Sequence, residues 1–187
     1  MIKAKVAGID LAAKNNRCSG YAVIELTNNY ATLTKLKCLY MNDEIVNEVV
    51  NDGVSLVAID APITNNPTMR EVDREMIRRG FRVFPPSFKW MKSLSLRAYS
   101  IYSKLISLGI NVIETHPRSS LLNVGINDVN ELLRLFNVLV KISDINLKHK
   151  DLRDATISAL VALCILKNCV DVVSSYDGKI YLLRRPT

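Results

Sequence analysis

Four aspartates in this 187-residue chain stand where chemistry could be done. Asp10 sits near the end of the apolar run KVAGIDL, Lys5 to Leu11, and Asp60 ends a second apolar run, SLVAID. Asp151 and Asp154 lie three apart in KDLRDATISALVAL, so on a helix they project from one face near its first turns. The residues after them are nearly all apolar, which buries that helix and makes charge at its head costly unless it is exposed, capped or bound to a cation. Each of these two acids also has a structural reading: Asp151 capping the helix and favouring its dipole, Asp154 paired with Arg153 or a lysine. Combined with two strand-end acids they form a carboxylate cluster whose natural counter-charge is a hard divalent cation. Oxygen ligands without His or Cys point to Mg2+ or Mn2+. Two such ions ~4 Å apart can activate a water and stabilise the leaving oxygen of in-line phosphodiester cleavage. Asp10, Asp60 and Asp154 are the expected metal ligands, and Asp151 the expected fourth catalytic acid.

Several elements must position these acids. Val6 to Asp10, Ser19 to Leu26 and Thr32 to Tyr40 read as strands, the last two joined by the polar turn TNNY, so three antiparallel strands open the fold. Asn42 to Asn51 has helical spacing, and Ser55 to Asp60 is a wholly apolar strand of the kind covered on both faces and parallel to its neighbour. Thr68 to Gly80 reads as a helix with Thr68 as N-cap, and Ser95 to Leu108 as an amphipathic helix closed by Gly109. The strand Ile110 to Glu114 follows, then helices over Val129 to Val140 and about Lys148 to Lys167, and a small edge strand at Lys179 to Leu183. With no repeat and no composition shift, this predicts one domain over residues 1–187, an α/β fold with a mixed sheet. Alternation puts Gly8 with Asp10, and Ala58 with Asp60, on one face of their strands. That face is open to close approach by a helix, at the strand ends where α/β sheets bind ligands.

Other candidates surround the acids. Glu114 ends a strand and is either a further metal-facing acid or an arginine's partner. His116 and His149 are either proton-handling groups or ordinary loop residues. The segment Arg70 to Lys104 concentrates positive charge and interleaves Phe84, Phe88 and Trp90 with it. Arg74, Arg78, Arg79, Arg82, Lys89, Trp90 and Arg97 are the candidates for holding a nucleic-acid strand, by phosphate contacts and base stacking. The alternative is a solvated helix face and a loop whose aromatics fill the core. The formal charge of +7 suits a polyanionic partner. Cys18, Cys38, Cys164 and Cys169 show no CxxC pair and no His at metal-ligand spacing, so zinc and a disulfide framework are not expected, and the cysteines read as small buried hydrophobes in a reducing compartment. The N-terminus has no signal-peptide pattern and no apolar stretch approaches the ~20 residues of a membrane span, so a cytoplasmic location without membrane contact is expected.

The motifs GIDLA (Gly8 to Ala12), IDAP (Ile59 to Pro62), RxxDRExxRRGxRxFPP (Arg70 to Pro86), LRA (Leu96 to Ala98), IETHPR (Ile113 to Arg118) and DAxxxAL (Asp154 to Leu160) resemble domain-of-unknown-function family 429, in the same order along nearly the whole chain. That family is regarded as predicted nucleases of ribonuclease H-like fold. More distantly, DxxDA at Asp151 to Ala155 is similar to the last catalytic motif of RuvC-type Holliday-junction resolvases. The resemblance implies a five-stranded sheet in order 3-2-1-4-5 with helices on both faces and the Asp10 strand at its centre. Asp10 and Asp60 would match the first- and fourth-strand acids, and Asp154, assisted by Asp151, those of the final helix. Where the family carries a Gly-rich acidic segment before its last strand, this chain has Asp177-Gly178 after the apolar, serine-rich Val170 to Tyr176. Three functions follow: a metal-dependent nuclease acting on DNA or RNA; a non-catalytic nucleic-acid-binding or scaffold protein on the same fold; and a phosphotransferase of the actin and sugar-kinase type. The last is disfavoured, because AAKNNRCSG offers a single late Gly and the length leaves no room for a duplicated domain.

Overall fold

The computed structural model describes residues 3–28, 30–142 and 147–186. Eight strands form one sheet in the order β6-β3-β2-β1-β4-β5-β8-β7. They are β1 (Lys3–Asp10), β2 (Ser19–Thr27), β3 (Tyr30–Leu39), β4 (Leu56–Asp60), β5 (Asn111–Thr115), β6 (Val138–Val140), β7 (Val170–Ser175) and β8 (Gly178–Leu183). The helices are α1 (Asn42–Asn51), α2 (Glu71–Arg78), α3 (Lys89–Ser107), α4 (Pro117–Val124), α5 (Val129–Leu135) and α6 (Lys150–Leu166). The expected order 3-2-1-4-5 is the middle of this sheet, with β1 antiparallel to β2 and parallel to β4. The expectation of five strands is corrected to eight.

Strand alternation divides the core. Val6, Ala22, Ile24, Leu33 and Ala58 join α4, α5 and α6 in one buried cluster, while Ala7, Ile9, Tyr21, Val23, Val57 and Ile59 join α1 and α3 in another. Burial on both faces explains why β1 and β4 read as continuous apolar runs. The α6 stretch from Asp154 to Cys164 is buried all round, lying on the sheet with α4 and α5 against it. Residues Ala22, Gly8 and Ala58 align across β2, β1 and β4, so the sheet is hollowed where α6 crosses. A Cβ at Gly8 would collide with the backbone of Ala155 and Ala159, and one at Gly20 with the Asp151 carbonyl. These glycines set how closely the helix bearing Asp151 and Asp154 approaches β1. No helix among the described residues is long and apolar enough to cross a membrane.

Several expectations change. The expected helix over Val129 to Val140 ends at Leu135, where Asn137 takes left-handed backbone (φ 53) and turns the chain into β6, parallel to β3. Lys179 to Leu183 belongs to β8, which is paired on both sides, by β5 and by β7, so the edge is β7. Helix α2 begins at Glu71 rather than Thr68, because Asp177, in the β7–β8 turn, accepts from the Glu71 and Val72 N–H groups. Helix α3 begins six residues ahead of the expected Ser95, at Lys89. Within TNNY, Asn29 lies outside the described residues, while Asn28 has the left-handed backbone (φ 51) that such a turn favours. The cysteines are not free thiols: Cys18 bonds Cys38 and Cys164 bonds Cys169. Gly20 faces Cys38 across β2 and β3, which brings Cys18 alongside. The turn after α6 folds Cys169 back onto Cys164, its N–H donating to the Cys164 carbonyl at 2.9 Å.

Candidate functional site

The carboxyl ends of β1 and β4 are in register, with Asp10 opposite Asp60, and neighbouring strands stand ~4.8 Å apart. Gly20 pairs with Asp10 on the other side, and the first turn of α6 sits over Gly20 through the Asp151 carbonyl. Asp10 shares the face of Gly8, the one α6 covers, and Asp154 precedes Ala155, whose backbone touches that glycine. Three elements therefore bring Asp10, Asp60, Asp151 and Asp154 to the wall of one cavity of about 840 Å³.

The carboxyls of Asp10 and Asp60 are under-neutralised. Burial first, then the charges of Asp154 and Asp151, push the Asp10 carboxyl from 3.8 up to about 7, opposed by Lys150 and Arg153. Burial, then Asp10 and Asp154, hold the Asp60 carboxyl well above its ordinary range. Among the described residues no side-chain or backbone donor reaches the carboxylates of Asp10, Asp60 or Asp151, whereas Asp154 Oδ1 accepts from Arg153 Nε at 2.9 Å. Asp151 makes no capping hydrogen bond; the N-cap of α6 is His149, which makes none with its side chain either. Half-buried Asp10 and Asp60 carboxylates that repel each other and lack protein donors, with Asp154 beside them, suit a hard cation, so the donor set fits Mg2+ or Mn2+.

Glu114 also lines the cavity, and its charge adds to the rise at Asp60, but its oxygens are engaged by protein donors. It pairs with Ile59, so its side chain leaves the sheet on the face opposite Asp60. Both its oxygens accept from Arg70 at 2.7 Å, and Oε2 also accepts from the Ile63 N–H at 2.9 Å. Arg70 reaches Asp73 as well, at 2.6 and 3.0 Å, so one buried guanidinium serves two carboxylates and holds α2 against the end of β5. Burial raises the Glu114 carboxyl, while Arg70 and the Ile63 N–H oppose that rise. His116 caps α4: its Nδ1 accepts from the Ser119 N–H at 3.3 Å and contacts Ser119 Oγ at 2.6 Å. Burial and the Arg118 charge pull its imidazole down to about 4, so it is neutral near pH 7.

The basic candidates separate into three groups. Arg74, Arg78 and Arg79 pair with Glu71 and Glu75 along α2, away from the cavity. Arg97 is buried and bonds the Ala12 and Tyr40 carbonyls and Asn42 Oδ1, clamping the loop after Asp10 to the start of α1. Arg82 and Lys89 are exposed and reach no carboxylate among the described residues. Trp90 and Phe84 line the cavity mouth with ring centroids 5.3 Å apart, and both are more than half exposed, at 52% and 58%. The cations that line the cavity are Arg17, Arg70, Arg118, Lys150 and Arg153. The sequence reading passed over most of these, although Arg17 follows Asp10 in the next loop, Arg118 closes IETHPR, and Lys150 and Arg153 flank Asp151.

No family model matches the chain, and no curated protein matches it. Solved structures do. RuvC of T. thermophilus in complex with a Holliday junction substrate is similar with a TM-score of 0.58 at 14% identity, covering 87% of this chain and 96% of that one. A second Thermus thermophilus RuvC structure gives 0.54 at 14% identity, covering 88% and 96%. At this identity the likeness shows the fold alone, shared with RuvC; the narrower resemblance to family 429 rests on the sequence motifs.

Proposed function

We propose that this protein is a divalent-metal-dependent nuclease that hydrolyses phosphodiester bonds in DNA or RNA. The observation that carries the reading is the convergence of Asp10, Asp60 and the α6 acids on one sheet face, with Asp10 pushed up to about 7 and without a protein donor. Asp10, Asp60 and Asp154 would hold Mg2+ or Mn2+, with Asp151 assisting. When bound, the metal supplies Lewis acidity toward phosphoryl oxygens and lowers the pKa of a water. The chain's own residues do the rest. Arg17, Arg118, Lys150 and Arg153 offer donors to phosphate oxygens around the cavity. Phe84 and Trp90 present ring faces at its mouth for a base to stack on, and Arg82 and Lys89 extend the basic track. Arg97 works behind the wall and fixes the loop after Asp10, while Arg70, within the wall, fixes the segment after Asp60.

The test is cleavage of single-stranded, duplex, hybrid and four-way-junction substrates with Mg2+ or Mn2+, comparing the native chain with Asp10→Asn and Asp154→Asn. The four-way junction belongs in the panel because the similar RuvC is bound to one. Metal-dependent cutting lost in both variants is the expected result. Cutting that survives in both places the activity elsewhere, and junction or strand binding without any cutting, unchanged in Asp10→Asn, assigns the chain to non-catalytic binding.

A further inference from the structure

A second cluster of ligand-type side chains lies beside the acids and differs from them in chemistry. The sulfurs of Cys18 and Cys38 and a ring nitrogen of His149 all lie within 4.8 Å of one another. The three come from different elements: Cys18 from the run into β2, Cys38 from β3, and His149 from the residue before α6. Strand register holds the first two together, since Gly20 pairs with Cys38. The Cα atoms of the cysteines are 5.0 Å apart. The His149 side chain is exposed and has no hydrogen-bond partner among the described residues.

We propose that Cys18, Cys38 and His149 form a binding site for a zinc-class divalent cation when the Cys18–Cys38 bridge is reduced, separate from the oxygen-donor cluster. Two thiolates and an imidazole are the donors a borderline-soft cation prefers, and three protein ligands leave a fourth tetrahedral position for water. The bridged and metal-bound forms exclude each other. A dithiol reductant opens the bridge: one of its thiolates attacks a cysteine sulfur and its second closes on the first. Two electrons and two protons thereby pass to Cys18 and Cys38, and the reductant leaves as its own disulfide. Binding the cation then releases both thiol protons. Because Cys18 borders the cavity and His149 precedes the helix carrying Asp151 and Asp154, the cation would brace the loop after Asp10 against the head of α6.

The experiment uses the full chain, reduced with a dithiol, desalted without oxygen and titrated with Co2+ followed by Zn2+. A thiolate-to-cobalt absorption band saturating at a single equivalent, displaced by Zn2+ and missing from the oxidised protein, is expected. It should vanish in Cys18→Ser and persist in the Cys164→Ala, Cys169→Ala double variant. His149→Ala changes an exposed side chain and so keeps the fold; it should weaken binding by roughly tenfold or more, since even partners behind a ligand cost that much. No band in the reduced native chain, a band unchanged in Cys18→Ser, or full affinity in His149→Ala overturns the proposal. None of these readouts depends on nuclease activity.

Discussion

Replacing Asp10 by Asn should make the metal-free protein more stable while disabling its metal response. The carboxyl is held at about 7 against an ordinary 3.8, so at ~1.4 kcal/mol per pH unit the folded state bears a penalty of up to about 4 kcal/mol once Asp10 ionises. Part of that penalty is shared with Asp60 and Asp154, so roughly half of it is the working figure. The sign follows from linkage. A carboxyl raised in the folded state costs nothing below its unfolded value, and its cost grows as pH rises from about 4 through about 7. Without metal, Asp10→Asn should therefore exceed the native chain in stability by about 2 kcal/mol at pH 8, a Tm gain of roughly 4–8 °C for a chain of this size, and should match it near pH 4. Saturating Mg2+ should reverse the order, since a ligand at 100 times its Kd stabilises by about 2.7 kcal/mol and the variant lacks a ligating oxygen. Thermal unfolding at both pH values, with EDTA or Mg2+, reads all four conditions. A variant less stable than the native chain at pH 8 in EDTA, or one gaining as much from Mg2+, refutes the crowded-carboxylate account.

Four other substitutions separate architecture from chemistry. Gly8→Ala drives a methyl into the α6 backbone at Ala155 and Ala159, so a loss of about 3 kcal/mol or more by urea unfolding is expected, and near-native stability would mean that α6 does not press on β1. Glu114→Gln leaves the buried Arg70 with Asp73 as its sole ion partner and should cost about 3 kcal/mol, while metal-dependent Tm gains persist; loss of the metal response alone would make Glu114 a ligand. Trp90→Ala should weaken single-strand binding by about 1–3 kcal/mol with little change in stability. Arg97→Ala should lower stability by roughly 2 kcal/mol, because its carbonyl acceptors lose a charged donor, with the salt slope of binding unchanged.

The acids were legible because local patterns carry them. Apolar runs mark β1 and β4, their alternation puts Gly8 and Ala58 on the faces of Asp10 and Asp60, and three-residue spacing aligns Asp151 with Asp154. What escaped depends on partners far along the chain. Asp177 caps α2 from across a hairpin, which no reading of Thr68 to Gly80 contains. The Cys18–Cys38 bridge follows from the β2–β3 register, and cysteine spacing alone does not encode it. Some signals were local and were missed. Arg78 and Arg79 stand three and four residues after Glu75, the spacing of intrahelical ion pairs, which already argues that their charge is internally matched. Helix α4 announces itself with His116 as cap, Pro117 at its first position and Gly125 in left-handed backbone (φ 73) at its end, but eight residues leave little room for periodicity.

The same contacts that fold the chain also fix the geometry of the acids. Helix α6 is buried from Asp154 to Cys164, and the sheet beneath it is hollowed by Ala22, Gly8 and Ala58. Sliding or rotating that helix would expose apolar surface at ~25 cal/mol per Å² and drive side chains into a sheet with no space for them. Asp154 is therefore held over Asp10 and Asp60 by the core itself, although the three carboxylates repel one another. A strained charge cluster persists only where the surroundings over-determine it. Here the over-determination comes from a buried helix whose backbone lies against Gly8 and Gly20, and a cation or a proton relieves the repulsion without moving it.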